Sequence, residues 1–483
     1  MAEICVVYLS EDVAVVERLV QLLRNTWDVW WAPDMVLGDW EESVRAEIRK
    51  AKVLIAVLSG HAKGKRKTIL KDEMRYAEAQ GAAILPFLIG QAELPFGFGD
   101  LNYAASHGWT GDPEDDGFQD LKAKISVTIG RGRGGSNAAV RPRSIAVGSK
   151  LLHLPSFVFS LSSHETQVTP KDGVILLNGW SPGPTLISAY DAWRHYGKDR
   201  QFLAGVNKLK KSDEVLFLDS GNYEASRKLD HKSKDNPNGW HKELFRTTAL
   251  RLSPDIAFSF DAFRLSGKPD QDVARIVKEF RADERAMRER DFPLCPIIHL
   301  ARQPNGGLSV FAAQVVADVA AELDPLMLAI PERELGDGLM ERVRTVREMR
   351  KRLNALGKYY PIHLLGTGNP LTMISLAAAG ADSFDGLEWC RTVADYDTGY
   401  LFHFQQFDLF RNSRVRRVQD PKVRRLIEAD DAPYALKVLS YNADFFKDWM
   451  KTIRAMIHSG QTEALLKAVL PDIARDIFEE IAR

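Results

Sequence analysis

Three aspartates sit where strands of this sequence would end. Asp219 closes the apolar run Val215-Leu216-Phe217-Leu218 and opens the turn Ser220-Gly221-Asn222-Tyr223. Asp385 ends Gly380-Ala381-Asp382-Ser383-Phe384, and Asp261 ends Ala257-Phe258-Ser259-Phe260. Carboxylates on the strand ends of one barrel suit work at a glycosidic bond, where one acid meets an anomeric carbon and another moves a proton. Aspartate also caps turns and helices, so each of the three has a purely structural reading as well. A fourth acid, Glu73, lies in a helical stretch of the N-terminal quarter.

The elements needed to position these acids are legible as alternation. Apolar stretches Ile4–Leu9, Asp28–Trp31, Val53–Ser59 and Ala83–Ile89 alternate with helical spacings over Asp12–Arg24, Glu41–Ala51 and Thr68–Gln80. Short apolar strands between amphipathic helices predict a parallel sheet covered on both faces. The alternation resumes later with strand candidates Val174–Asn178, Val215–Asp219, Ile256–Asp261, Pro296–Leu300, Leu326–Ile330, Ile362–Gly366, Ser383–Glu388 and Tyr400–Phe404. Eight strands with helices between them predict a (β/α)8 barrel. The fold class is therefore α/β. Residues 1–130 form a first domain, 131–150 a Gly/Arg-rich linker, 151–430 the barrel and 431–483 a helical C-terminal segment. The linker composition is also compatible with touching a phosphate backbone.

Composition narrows the function. At 483 residues the chain exceeds one ordinary core. Lys+Arg and Asp+Glu both number 65, so nucleic acid gains nothing from a global field and needs a local basic groove. No apolar run is long enough for a membrane span, and the first residues lack a signal peptide's pattern. Only Cys5, Cys295 and Cys390 occur, far apart, which fits a reducing cytoplasm and makes zinc unlikely; no metal ligands are assigned.

Residues 4–111 resemble a TIR domain. The resemblance is carried by Val6-Val7-Tyr8-Leu9-Ser10-Glu11-Asp12, the loop Pro33-Asp34-Met35-Val36-Leu37-Gly38-Asp39, Lys52–Ser59, the helix holding Glu73, Ile84-Leu85-Pro86-Phe87 and Trp109-Thr110. It implies a flavodoxin-like sheet that takes NAD+ as substrate and cleaves the nicotinamide ribosyl bond, with Glu73 in the place of the family's glutamate. Glu73 is expected about one turn into its helix, beside the C-terminal edge of the sheet. Ser10 and Asp34 fall on ligand-binding loops. Trp40 is suited to stacking on adenine and equally to the core of its helix. Ile69-Leu70 stands where the family usually has a Trp-Cys pair. The family also implies self-association through these domains.

Residues from about 151 to 465 resemble the tRNA-guanine transglycosylase superfamily, including its DNA-modifying 7-deazaguanine branch. The motifs are Asp219-Ser220-Gly221-Asn222-Tyr223-Glu224, Ala257–Asp261, His363-Leu364-Leu365-Gly366-Thr367-Gly368, Gly380–Asp385 and Leu439-Ser440-Tyr441-Asn442. The resemblance implies Asp385 as nucleophile, Asp219 as general acid or base, Asp261 as reader of the base's amidine edge and Tyr223 as a stacking partner. Ser220, Gly366 and Gly368 belong to the same motifs, and His299 takes the place of a base-recognising glutamine. The family's three zinc-binding cysteines are missing, and Tyr441 replaces its histidine. Charged residues fill Ile330–Asp337 where small ones are usual.

Together the two resemblances imply a TIR NAD+ hydrolase or cyclase of anti-phage type. Its barrel would bind or process a nucleobase, nucleotide or nucleic-acid ligand. The alternative is a base-exchange transglycosylase with the TIR domain as an interaction adaptor.

Overall fold

The computed structural model describes residues 3–31, 40–62, 65–95, 97, 98, 101, 103–130, 141–164, 166–261, 265–303, 307–409 and 411–482. The chain divides into two compact units at Ala138/Ala139.

In the first unit, strands β1 (Ile4–Val7), β2 (Val29–Trp31), β3 (Val53–Leu58), β4 (Ala83–Ile89) and β5 (Ala104–Ser106) form one parallel sheet in the order β2-β1-β3-β4-β5. Helices α1 (Val13–Arg24), α2 (Trp40–Lys50), α3 (Lys65–Ala79) and α4 (Asp116–Gly130) cover it. Every residue of β3 is buried, as a strand with helices on both faces requires. Alternate side chains serve two cores: Val53, Ile55 and Val57 pack toward Leu19, Phe118 and Leu121, while Leu54, Ala56 and Leu58 pack toward Ile48, Leu70 and Met74. The strand order reverses between β1 and β3, where ligands bind in sheets of this kind.

The second unit opens with a hairpin, β6 (Ser144–Val147) paired to β7 (Lys150–His153). Eight parallel strands follow: β8 (Ser156–Leu161), β9 (Thr185–Ser188), β10 (Leu216–Asp219), β11 (Ile256–Phe258), β12 (Leu294–Cys295), β13 (Leu328–Pro331), β14 (Ile362–Leu365) and β15 (Ser383–Gly386). β8 pairs with β15, and a bridge from Ile297 to Ala329 links the β12 and β13 ends. The result is the expected (β/α)8 barrel.

Period-two alternation builds its interior. Val158, Phe217, Phe258, Cys295 and Ala329 fill one inner cluster, while Phe157, Phe159, Leu216, Leu218 and Phe384 face the surrounding helices. Val147, Leu152 and Leu154 belong to the same inner cluster. The β6–β7 hairpin thus packs onto the barrel core, so this half of the expected linker is structured; residues 131–140 lie outside the described residues.

Three strand expectations are corrected. The strand expected at Pro296–Leu300 is Leu294–Cys295, with only the Ile297 bridge falling in the expected range. Val174–Asn178 is helical, within Pro170–Trp180, because Thr169 caps Asp172 N–H and Pro170 starts the first turn. A five-residue apolar run does not separate a strand from a buried helix, and the cap decides here. Tyr400–Phe404 contributes instead to a small antiparallel pair, Thr392–Ala394 with Leu401–His403. The places of these last two in the barrel belong to β8 and β9, which are absent from the strands expected on sequence.

The terminal helices include Tyr434–His458, which carries Asn442 into contact with Trp389 O, Thr392 O and Ala394 N at 2.7, 2.7 and 3.2 Å. Tyr441, beside it, is buried against Tyr396 and Phe407. Among the described residues, no helix is long and apolar enough to cross a membrane, and no cluster of three or more potential metal ligands occurs.

Candidate functional site

The barrel's alternation brings Ser160, Asp219 and Asp385 to the C-terminal strand ends as inward residues one step beyond Val158, Phe217 and Ser383. All three line one cavity of 610 Å³, together with Ser220, Asn222, Tyr223, Glu224, Asp261, His299, Gly366 and Glu388. The sequence-predicted barrel residues therefore converge, apart from Gly368, which does not line the cavity and acts behind it. A Cβ on Gly368 would collide with the Glu388 carboxylate, as would one on Gly386. Gly221 is also required: its φ is +77° and its Cα packs against the Tyr190 backbone, so the turn after β10 tolerates no side chain there.

Asp385 is held from three directions. Ser160 Oγ donates to Oδ2 at 2.6 Å, Gly366 N–H donates to Oδ1 at 3.0 Å, and His363 Nε2 lies 3.3 Å from Oδ1. His363 is itself fully buried between Phe217 and Phe258 and hydrogen-bonds Ser383 Oγ at 2.9 Å through Nδ1. A carboxylate fixed in this way has one orientation available, as an attacking group needs.

Asp219 differs. Burial, then the charges of Glu224, Asp261 and Asp385, hold its pKa well above the usual carboxylate range. The upward shift favours a protonated Asp219 beside an Asp385 that accepts from Ser160 and Gly366, an arrangement suited to dividing acid and nucleophile roles between two acids. Burial, reinforced by Asp191, pushes Glu224 up to about 7.

Asp261 commits its oxygens inside the protein. Oδ2 accepts from Ser220 Oγ at 2.8 Å and Asn222 Nδ2 at 2.6 Å, and Oδ1 faces His299 Nε2 at 3.2 Å. His299 Nδ1 meets Glu334 Oε1 at 2.8 Å, and Glu334 Oε2 accepts Leu300 N–H at 2.9 Å. Burial opposes charge on His299, but its two acidic partners outweigh that and raise its pKa to about 9. An imidazolium between two carboxylates results. Glu334 thus gives a structural reason for one of the charged residues in the Ile330–Asp337 segment.

Tyr223 presents its ring at the cavity wall, with Arg227 stacked over it at 5.4 Å and His164 edge-on at 5.7 Å. Sequence reasoning misses Ser160, Glu334 and the support from His363. The available signal for Ser160 is its place near the end of the buried run Ser156–Leu161.

In the first unit, Glu73 is half-buried on α3, eight residues after Lys65. At about 1.5 Å per residue it lies roughly 12 Å along the axis, two turns in rather than one. The helix begins at Lys65 rather than at the expected Thr68, and the earlier start accounts for the difference. Burial pushes Glu73 up to about 7. Its charge, with that of Glu47, adds to burial in pushing the Cys5 thiol up, which places Glu73 near β1 and α2.

Ser10 is exposed and donates to Glu11 at 3.1 Å. Asp34 lies outside the described residues. Trp40 opens α2, with its side chain also outside them. At the β1/β3 reversal, Asp12 accepts Ser59 Oγ at 2.9 Å and pairs with His61 Nδ1 at 2.9 Å, a cluster that sequence reasoning does not single out.

Comparison with known proteins agrees with both halves. Residues 4–122 match the family model described as TIR domain and form a TIR domain. A tRNA-guanine(15) transglycosylase from Thermococcus onnurineus (strain NA1) is 23% identical over 268 residues, covering 54% of this chain and 42% of that protein. The chain thus spans less than half the length of this curated relative. The architecture is a TIR domain fused to a barrel distantly similar to that transglycosylase.

Proposed function

We propose that the TIR unit cleaves NAD+ at its nicotinamide ribosyl bond, and that the barrel governs this by binding a nucleobase, nucleotide or nucleic-acid ligand in a defence role of anti-phage type. Glu73 carries the reading: a carboxyl raised to about 7 by burial, in the helix after β3 of a TIR domain. Breaking the bond sends its electron pair to the pyridinium nitrogen and leaves cationic character on the ribose. A desolvated carboxylate stabilises that cation more than a solvated one. Water or a second group of the nucleotide then completes hydrolysis or cyclisation. Glu73→Ala is expected to abolish nicotinamide release by the full chain, followed chromatographically. Release at the wild-type rate would overturn the assignment. Activation is expected to proceed through self-association of TIR units in the cytoplasm, tested by light scattering with and without nucleic acid.

A second reading is favoured by the fixing of Asp385 in the cavity that it shares with Asp219, whose pKa is raised. Asp385 would attack C1′ as the outgoing base takes a proton from Asp219, and an incoming base would reverse the step. The TIR domain would then be an interaction adaptor. This reading expects incorporation of labelled guanine into nucleic acid, lost in Asp385→Asn, with no consumption of NAD+.

A further inference from the structure

We propose that the barrel cavity takes a nucleoside phosphate, with its base among the acids of the floor and its phosphate on Arg227, Arg333 and Arg391. This rests on the reading that the barrel binds a nucleobase-containing ligand, and it commits that ligand to a free nucleotide.

The cavity is lined by charge of both signs. Asp219, Glu224 and Asp385 come from strand ends and the turn after β10, whereas the three arginines also line the space. The arginines arrive on three separate loops. Arg227 ends the helix Asn222–Arg227 after β10, Arg333 lies in the turn Glu332–Glu334 after β13, and Arg391 ends Glu388–Arg391 after β15. These are βα loops at the face where barrel enzymes bind phosphate groups.

Arg227 and Arg333 are exposed. Among the described residues, neither guanidinium forms a hydrogen bond or ion pair, and Arg227 only lies over the Tyr223 ring. Arg391 is half-buried and donates to His164 O at 3.0 Å, which fixes its position. With Arg227 and Arg333 lining the same cavity as several acids, yet not paired with them, the site is dipolar. A bare nucleobase satisfies only its acidic part, while a nucleotide satisfies both.

Guanidinium groups match phosphate oxygens in bidentate pairs. The arginines stand on the βα loops whereas Asp219 and Asp385 stand on the strand ends, and this separation sets the ligand's direction. With Asp261 committed to Ser220, Asn222 and His299, and Glu224 to Ser188, the base is left to Asp219 and the Tyr223 ring. A volume of 610 Å³ lies within the range of small-ligand sites.

The test is calorimetric titration of the full chain with GMP, guanosine, AMP, adenosine and a single-stranded oligonucleotide. At least one nucleotide is expected to bind about tenfold or more tightly than its own nucleoside, as charge-assisted hydrogen bonds imply. That preference should shrink with added salt. It should vanish in the double variant Arg227→Ala/Arg333→Ala, whose melting curve reports that the barrel is folded, while nucleoside affinity persists.

Equal affinity for nucleoside and nucleotide overturns this inference and leaves the nucleobase reading standing. Failure of every probe to bind overturns both. A preference that survives in the double variant moves the phosphate away from these arginines, and an oligonucleotide that outcompetes every mononucleotide gives the site to nucleic acid; either result sinks the proposal.

Discussion

The two units handle acidic side chains in opposite ways. In the TIR domain the raised pKa of Glu73 has burial as its cause, so that acid is tuned by its surroundings alone. In the barrel the acids tune one another: Asp219 is raised by burial and by three neighbouring carboxyl groups, while Asp261 is bound into a chain with His299 and Glu334. A lone desolvated acid can be understood from one substitution. A coupled cluster cannot, because removing one member resets the protons on the rest.

The largest expected effect probes the lone acid. Glu73→Gln should lower the rate of nicotinamide release about 10²–10⁴-fold and leave nucleotide affinity at the barrel unchanged. A parallel loss of barrel binding would break the contrast. In the wild type, NAD+ cleavage should rise as pH passes upward through about 7, because the ionised form of Glu73 stabilises the ribosyl cation.

Next comes the barrel's structural acid. Asp382, fully buried, receives Arg141 Nε at 2.8 Å and Arg350 Nη2 at 2.6 Å. Arg141→Ala should cost about 3 kcal/mol, seen by calorimetry as a lower melting temperature for the barrel transition alone.

A smaller effect comes from His299. Its folded-state pKa of about 9 exceeds its ordinary value of 6.5. The stability it contributes is therefore complete below pH 6.5 and is lost as pH rises through 9. The loss should reach about 2 to 3 kcal/mol in denaturant titrations, and His299→Gln should flatten the profile.

The smallest effect returns to Glu73. A raised carboxyl costs the folded state stability as pH climbs from 4.5 to about 7. Glu73→Gln should thus stabilise the TIR unit at pH 8 by about 1 kcal/mol, allowing for the solvent that still reaches the group, and not at pH 4. Equal stabilisation at both pH values would show that burial is not what perturbs this acid.

Sequence alone exposes much of this arrangement. Where a strand is a buried run ending in a motif, as in Leu216–Asp219 or Ser383–Gly386, both element and inward residue are legible. Where a short apolar run lacks such an ending, periodicity does not decide between strand and helix. The helix Pro170–Trp180 therefore reads as a strand, while Ser156–Leu161 escapes notice and Ser160 with it. Glu334 stands out only as a charge out of place, because its partner His299 is 35 residues away and meets it only when β12 and β13 close the barrel. Long-range pairings of this kind leave no local periodicity in a chain. The TIR unit is easier to read, since its alternation is short and regular, although the depth of Glu73 depends on a helix start that polar residues Lys65–Lys67 disguise.

Arg141 also decides where the barrel can be severed. Its guanidinium further donates to the carbonyls of Ala377 and Ala381 at 2.9 and 2.7 Å, so residue 141 already fastens the second unit. A recombinant fragment begun at 151, the boundary that composition suggests, would lack this clasp together with part of the stopper formed by Val147, Leu152 and Leu154. One begun at 139 would keep both, and only that longer piece is a fair specimen for asking what the barrel does without its companion.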